Sequence, residues 1–176
     1  NMNMRMRYFP KPVVVAPASL TLGAGCEIPM HASRVVAAAE TYIGLVELGA
    51  GVIPAGGGTK EYMRRIINPA MKTDMAEPFP FIQRAFLQIG QAKVATSAEE
   101  AHGMAILTGA DRIVLHREHL LTEAKKEVLN LVSTNYRPPA PEMMYAPGRD
   151  MFGAMKIGAW SFAEGKYITE YDSHIA

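Results

Sequence analysis

The chain has 176 residues, of which 49% are hydrophobic and 20% are charged, as is typical of a globular protein able to bury a core. Its formal net charge of +1, without a basic block, argues against a nucleic-acid partner, although a few local Lys or Arg side chains would suffice to bind a phosphate-bearing small molecule. No apolar run reaches about 18 residues, so no membrane span is expected. The single cysteine, Cys26, excludes an internal disulfide and fits a reducing compartment.

The first half of the chain alternates short strands and helices. Residues 12–17 form a β-branched run between two prolines, which predicts a fully buried strand. Gly23 and Gly25 indicate a turn over residues 19–25, and a short helix over about 25–33 would carry Glu27 in its first turn. The other elements predicted in this half are a helix tail within residues 1–10, strands at 34–39 and 41–44, a loop at 54–58 and a helix at 59–67.

The second half is predicted to be mainly helical, which favours an α/β region followed by a helical extension. Helices are expected over 81–90, from a Ser97-Ala-Glu-Glu100 capping box to about Leu107, over 117–132 and over 150–164, with one strand at 112–115. We divide the chain into a core at 1–68, a helical region at 69–136, a Pro-rich linker at 137–148 and a truncated helical extension at 149–176.

Two of these helices are predicted to be amphipathic. In helix 59–67 the apolar side holds Met63, Ile66 and Ile67, while Lys60, Arg64 and Arg65 lie elsewhere on its surface. In helix 117–132 the side predicted to face the core consists of Leu120, Leu121, Ala124, Val128, Leu131 and Val132.

Two acidic residues, Glu27 and Glu47, stand in apolar, glycine-rich sequence and are twenty positions apart. Ionised carboxylates are rarely buried without compensation. Addition of water to a polarised C=C bond needs a base for the water and an acid for the carbon, and two carboxylates with differently tuned pKa values can share these roles. The alternative is that both are ordinary surface glutamates on helices.

The small residues around Ala24 can expose backbone N–H groups at a helix N-terminus, where such groups stabilise a developing oxyanion; the alternative is a tight turn that uses glycine for its backbone freedom alone.

Nucleotide-binding loops are not indicated. Thr59 precedes Lys60, which is the wrong order for a P-loop, and Ile28 and Pro54 stand where a dinucleotide fingerprint needs its third glycine. The histidines show no metal-ligand spacing, and Cys26, which has no evident His partner, is interpreted as a packing residue.

Four segments in order over residues 11–67 carry a family resemblance: Lys11-Pro-Val-Val-Val-Ala-Pro17, Leu22-Gly-Ala-Gly-Cys-Glu27, Gly44-Leu-Val-Glu47-Leu-Gly49 and Ile53-Pro-Ala-Gly-Gly-Gly-Thr59. They resemble the central signature of the crotonase (enoyl-CoA hydratase/isomerase) superfamily. Their sequences are most similar to those of bacterial fusion proteins that join a 3-hydroxyacyl-CoA dehydrogenase to a C-terminal hydratase region and act in fatty-acid β-oxidation.

The resemblance implies a fold, a reaction and a set of site residues. The implied fold is α/β, a partial crotonase-like ββα spiral followed by an α-helical C-terminal extension. Glu27 and Glu47 match the two catalytic glutamates of the hydratases, Ala24 matches the position of an oxyanion N–H, and the N–H of Ala55 would help to hold water. The implied reaction is syn hydration of a trans-2-enoyl-CoA in the cytoplasm. The substrate carries CoA, and NAD would belong only to an absent dehydrogenase part.

The largest departure from the family is the lack of the half that should precede Lys11, where only ten residues stand. We therefore expect a fragment of a longer enzyme that is a poor catalyst alone, and that self-associates or forms a homo-oligomer because sheet edges and apolar faces are exposed. Two alternatives remain open, a non-catalytic crotonase-like module for assembly or binding and an enoyl-CoA isomerase.

Overall fold

The structure is a computed structural model that describes residues 2–176, and its first sheet is entirely parallel. β3 (Arg34–Ala38) lies between β1 (Val14–Val15) and β6 (Arg112–Val114). In this register Val15 pairs with Val35. After Arg34, the central strand is apolar and buried, as expected for a parallel strand with neighbours on both sides.

A short connection after β1 leads to the first strand of the second sheet. β2 (Leu20–Leu22) pairs in parallel with β4 (Tyr42–Gly44), and β5 (Val94–Ala95) pairs with β4 in the antiparallel direction. Helix α2 (Ala24–His31) connects β2 to β3 and therefore passes from the second sheet to the first. Glu27, which lies on this helix, therefore stands in the sequence between a strand of the second sheet and a strand of the first sheet.

Eight other helices are present in residues 2–176. They are α1 (Met2–Arg7), α3 (Gly58–Tyr62), α4 (Asn68–Ala70), α5 (Phe79–Gly90), α6 (Ala98–Gly103), α7 (Leu120–Ser133), α8 (Gly148–Glu164) and α9 (Glu170–Ile175). A π-helical turn, Met63–Ile67, joins α3 to α4, and 3-10 turns occupy Glu47–Ala50 and Arg117–His119. None of the helices in the described residues is long and apolar enough to cross a membrane.

The hydrophobic core has two parts. The larger part includes Cys26, Met30, Ile43 and Tyr62, and it packs α2 against β4 and α3. The smaller part lies under α7, where buried side chains of β3 meet that helix. Both parts meet at β3, because successive residues of a strand point to opposite faces of the sheet.

Two predictions for the first half of the chain are wrong. Val14 and Val15 are half-buried rather than fully buried, because β1 is an edge strand of its sheet. Residues 20–22, predicted as part of a turn, form strand β2, because the backbone of β4 is available to pair with them. The helix tail, α2, β3, β4 and the helix after residue 58 are confirmed.

Helix α6 is shorter than predicted, since it ends at Gly103 and not near Leu107. Its Ser97 hydroxyl accepts the N–H of Glu100, as a capping box requires. The Glu100 carboxylate, however, accepts from the N–H and the hydroxyl of Thr96 instead of returning to Ser97. The predicted cap is therefore only half formed.

Helix α7 buries a narrower stripe than predicted. Leu120, Ala124 and Leu131 are buried, but Leu121 and Val132 are 77% and 57% exposed. The small sheet beneath α7 covers only one side of the helix, so residues about a quarter-turn away remain in contact with solvent. Residues 69–136 also contribute β5 and β6 to the sheets, and the proline-rich segment before α8 contains no helix or strand.

Candidate active site

The site begins at the turn between β2 and α2, where Gly23 has a φ of 57°. This left-handed conformation favours glycine. The Gly23 N–H donates to the carbonyl of Gly44 over 2.9 Å, which ties the start of α2 to the end of β4. A Cβ added at Gly23 would lie 3.4 Å from Oε1 of Glu47, so the carboxyl group of Glu47 lies against this turn.

Glu27 is 2% exposed and both of its carboxylate oxygens are occupied. Oε2 accepts the backbone N–H of Gly56 at 2.9 Å, and Oε1 accepts the N–H of Gly58 at 2.8 Å. The close approach requires glycine, because a Cβ at Gly56 would overlap Oε2. Two backbone donors thus compensate the burial of this acid, which forms no ion pair within residues 2–176.

Glu47 has a different environment in the 3-10 turn that it opens. Its Oε2 is buried and has no hydrogen-bond partner within residues 2–176. Burial raises the pKa of Glu47, and the negative charge of Glu27 adds to this increase, while the N–H groups of Glu47 and Val46 partly oppose it. Glu27 is thus close enough for its negative charge to act on the carboxyl group of Glu47.

The two predicted backbone donors flank this pair. Ala24 is the first residue of α2 and is exposed, so its N–H has no carbonyl of a preceding helical turn to bind. Ala55 is exposed in the turn just before Gly56, whose own N–H binds Glu27. Both amides therefore lie next to residues that contact one of the two acids.

His31 supports Glu27 from the end of α2. Its Nδ1 lies 2.7 Å from the backbone oxygen of Glu27, which can only accept, and its Nε2 lies 3.1 Å from Nζ of Lys60, which can only donate. The ring therefore carries its proton on Nδ1. Burial lowers the pKa of His31, and the charges of Lys60 and Arg7 contribute in the same direction.

Glu61 lies behind this contact, fully buried among basic side chains. Its carboxylate is 2.6 Å from Lys60 and 2.8 Å from Arg64, with Arg7 and Arg65 at 3.5 and 3.4 Å. Burial alone would raise the pKa of Glu61, but the hydrogen bonds from Arg64 and Lys60 and the nearby positive charges lower it to about 2.

No protein-family model matches the chain. The probable 3-hydroxyacyl-CoA dehydrogenase of Bacillus subtilis is 42% identical over 180 residues, which cover 98% of this chain and 21% of that protein. The 2,3-dehydroadipyl-CoA hydratase of Escherichia coli is 37% identical over 62 residues, or 35% of this chain and 24% of the relative.

The solved structures agree with these relatives in fold. A crystal structure of enoyl-CoA hydratase from Bacillus anthracis matches with a TM-score of 0.58 and 24% identity, covering 74% of this chain and 43% of the other. The relatives and structural neighbours of the chain include enoyl-CoA hydratases of the crotonase superfamily. The expected α/β crotonase-like fold is thereby confirmed. The chain spans less than half the length of each of these relatives.

The crotonase signature led to Glu27 and Glu47 but not to the groups that hold them. The amides of Gly56 and Gly58 were missed, because no residue type reveals which backbone donor a distant acid will meet. His31, Lys60 and Glu61 were also missed as a connected group. The spacing of Glu61 to Arg64 and Arg65 is a helical ion-pair pattern and could have indicated part of it.

The prediction that Lys60, Arg64 and Arg65 lie apart from the buried side of their helix is therefore only partly correct. Arg65 turns inward and donates to the carbonyls of Met30 and Ile106.

Cys26 is buried in the core with its sulfur 4.0 Å from that of Met30, and burial raises the pKa of its thiol. Within residues 2–176, no three His, Cys, Asp or Glu side chains cluster as metal ligands would.

Proposed function

We propose that this chain supplies the acid–base pair of an enoyl-CoA hydratase site in an enzyme of fatty-acid β-oxidation. The observation that carries the proposal is the buried Oε2 of Glu47, which has no hydrogen-bond partner in the part of the chain that the structure describes, near the amide-bound carboxylate of Glu27. A buried acceptor without a partner in a native protein calls for a donor or a chemical role. A water molecule between two carboxylates meets that need and is the second substrate of a hydratase.

The different surroundings of the two glutamates suggest their roles. Glu27, held as an acceptor through both oxygens, is the group proposed to take a proton from water. Glu47, whose pKa is raised by burial, is proposed to hold the proton that Cα receives. Because both act from one side, water and proton would add to the same face of the double bond.

The proposed electron flow needs a group that stabilises charge on the thioester oxygen. As water oxygen bonds to Cβ, the C=C electron pair moves toward the thioester carbonyl, and its oxygen becomes negative until Cα is protonated. The N–H of Ala24, at the start of α2, is the proposed donor to that oxygen. The N–H of Ala55 is proposed to orient the water.

The names of the relatives support this assignment. They include hydratases that act on enoyl-CoA or 2,3-dehydroadipyl-CoA and a multifunctional protein of peroxisomal fatty-acid β-oxidation in Arabidopsis thaliana, 46% identical over 65 residues, covering 37% of this chain and 9% of that protein. The chain covers only part of each of them. Substrate class and pathway therefore remain part of the proposal.

The test is hydration of crotonyl-CoA by the full product of the gene, with Glu27→Gln and Glu47→Gln as variants. Each is expected to lower kcat by about 10²–10⁴-fold, the usual contribution of a general acid or base, with little change in binding of a CoA ester. Glu40→Gln is the matched control, since Glu40 is exposed. Unchanged kcat in both variants would contradict the proposal.

Two other outcomes would assign a different function. Movement of the double bond without hydration would indicate an enoyl-CoA isomerase. Binding of a CoA ester with neither reaction would indicate a non-catalytic module. The 176-residue chain alone is proposed to be a poor catalyst, and turnover equal to that of an intact hydratase would contradict that part.

Self-association is proposed for the same chain. Helix α8 exposes Phe152, Ile157 and Trp160, all more than half accessible to solvent. Exposed apolar side chains on one helix are typical of surfaces that meet another protein surface. Sedimentation of the chain over a range of concentrations measures this directly, and a monomer at every concentration would exclude it.

A further inference from the structure

A cleft lined by arginines lies outside the glutamate site. We call it the arginine cleft and define it by Arg7, Arg34, Arg64, Arg65 and Arg137, which surround a cavity of about 280 Å³. These residues come from α1, from the start of β3, from the π-helical turn and from the segment after α7. Five arginines from four separate parts of the chain thus line one cavity.

The positive charge of the cleft is only partly neutralised. Arg7, Arg64 and Arg65 share the single carboxylate of Glu61, which also binds Lys60. Within residues 2–176, Arg34 and Arg137 form no ion pair.

The acid lining the cleft, Asp111, is engaged elsewhere. Its oxygens accept the N–H groups of Val35 and Thr108 and the hydroxyl of Thr108. It thus reduces the charge of the cleft without bridging any of the arginines through an ion pair. In a protein whose net charge is only +1, this concentration of cations favours an anionic ligand.

Two of the arginines are held in place by backbone carbonyls before any ligand arrives. Arg65 donates to the carbonyls of Met30 and Ile106, and Arg34 donates to the carbonyl of Ser33 at 2.8 Å. Burial lowers the pKa of Arg65, and the like charge of Arg64 acts in the same direction although Glu61 opposes it. An anion would relieve this repulsion, and fixed donors lose little entropy on binding it.

A neutral donor completes the cleft. The Ser33 hydroxyl donates to the hydroxyl oxygen of Tyr136 over 2.9 Å, so the proton of Tyr136 is directed away from Ser33. Tyr136 lines the cleft beside Arg137. Its O–H can therefore donate to an oxygen of a ligand in the cavity.

We propose that the arginine cleft binds a phosphate group, as inorganic pyrophosphate or as the phosphate of a small ester. Guanidinium groups match the oxygens of phosphate in pairs, and phosphate carries enough charge and enough acceptor atoms for several arginines at once. The proposal does not depend on hydratase activity, because none of the cleft residues belongs to the glutamate pair.

The test is titration of inorganic pyrophosphate into the chain by calorimetry at low ionic strength, with the double variant Arg34→Gln/Arg137→Gln. Both residues lie outside the Glu61 ion pairs, so the fold is expected to persist, which circular dichroism checks. The variant should weaken binding at least tenfold. Arg117→Gln/Arg149→Gln is the matched control, since both arginines are exposed and neither lines the cleft.

Saturable one-to-one binding that only the cleft variant weakens supports the proposal. No heat at millimolar pyrophosphate, or an equal loss in both double variants, overturns it. Competition by free CoA would assign the source of the phosphate to CoA. Binding that CoA does not displace would assign it to another phosphate compound, and both outcomes support the site. Arg137→Gln alone provides a second, milder variant, expected to weaken binding by a smaller factor.

Discussion

Glu47 and Glu61 are two acids in the same chain with opposite surroundings. Glu61 is fully buried, contacts four basic side chains, and has its pKa lowered to about 2 by them although burial opposes the shift. Glu47 has a buried oxygen without a partner in the described residues, and its pKa is raised by burial. An acid that is surrounded by cations, as Glu61 is, stabilises the fold, whereas an acid with a buried oxygen that lacks a partner in the described residues, as Glu47 has, is available for chemistry.

Glu27 lies between these two cases. Backbone N–H groups of Gly56 and Gly58 donate to both oxygens of its carboxylate. Such donors hold a carboxylate in place without forming an ion pair that would compete with a substrate. His31 and Lys60 connect the backbone at Glu27 to Glu61, so the structural cluster also supports the site.

The largest expected effect comes from Glu47→Gln. This substitution should lower hydration by about 10²–10⁴-fold but leave the free energy of unfolding unchanged or slightly higher, because it removes a poorly solvated carboxylate. Urea unfolding and the crotonyl-CoA assay on the same preparation measure both. If Glu47→Gln lost as much free energy of unfolding as Glu61→Gln, the two acids would not differ in their contribution to stability, and the comparison would be wrong.

Glu61→Gln, in contrast, should lower the free energy of unfolding. Removal of one partner of a buried ion pair typically costs about 3–5 kcal/mol, because the remaining charges stay buried without compensation. Urea unfolding should show a lower midpoint, with Glu118→Gln, an exposed acid, as the control. An unchanged midpoint would mean that solvent reaches the cluster and that Glu61 does not organise it.

Gly56→Ala tests the amides that hold Glu27. The added Cβ would overlap Oε2, so the carboxylate must move or the loop must shift, at a cost of about 1–3 kcal/mol. Hydration should fall together with stability. Gly25→Ala is the matched control, because its Cβ would lie 3.8 Å from Thr21. Equal behaviour of the two variants would argue against a tightly packed loop.

The smallest expected effect is a loss of stability in acid. The pKa of His31 is lower in the folded state than its ordinary value, so the unfolded chain binds this proton first, and stability should begin to fall below about pH 6.5. Glu61 has a lowered pKa as well, so its contribution is present above pH 4.5 and is lost as pH falls toward about 2.

The two pH windows can be separated by substitution. Urea midpoints measured from pH 7 to pH 3 should decline in both windows for the unmodified chain. His31→Gln should flatten the decline between pH 7 and pH 5, and His102→Gln, on the partly exposed last turn of α6, is the control. A decline that persists unchanged in His31→Gln would assign it to other groups.

Much of the local structure could be predicted from the sequence. The helix that carries Glu27, strands β3 and β4 and the later helices follow from apolar periodicity and from proline and glycine positions. Strands β2 and β5 were not predicted, because they are only three and two residues long and depend on pairing with β4. Leu121 and Val132 were wrongly predicted to face the core, because the width of the surface beneath α7 cannot be read from the sequence.

The sequence by itself indicated the crotonase resemblance of this protein and the two glutamates of its candidate site, because a motif is a local arrangement of residue types. Only the tertiary structure decided what each acid meets. Glu27 reaches the amide of Gly58 across 31 positions, and Ser33 reaches Tyr136 across 103. Compensation of charge depends on such distant contacts. The unpartnered oxygen of Glu47, the Glu61 cluster and the arginine cleft therefore appear only when the chain is folded.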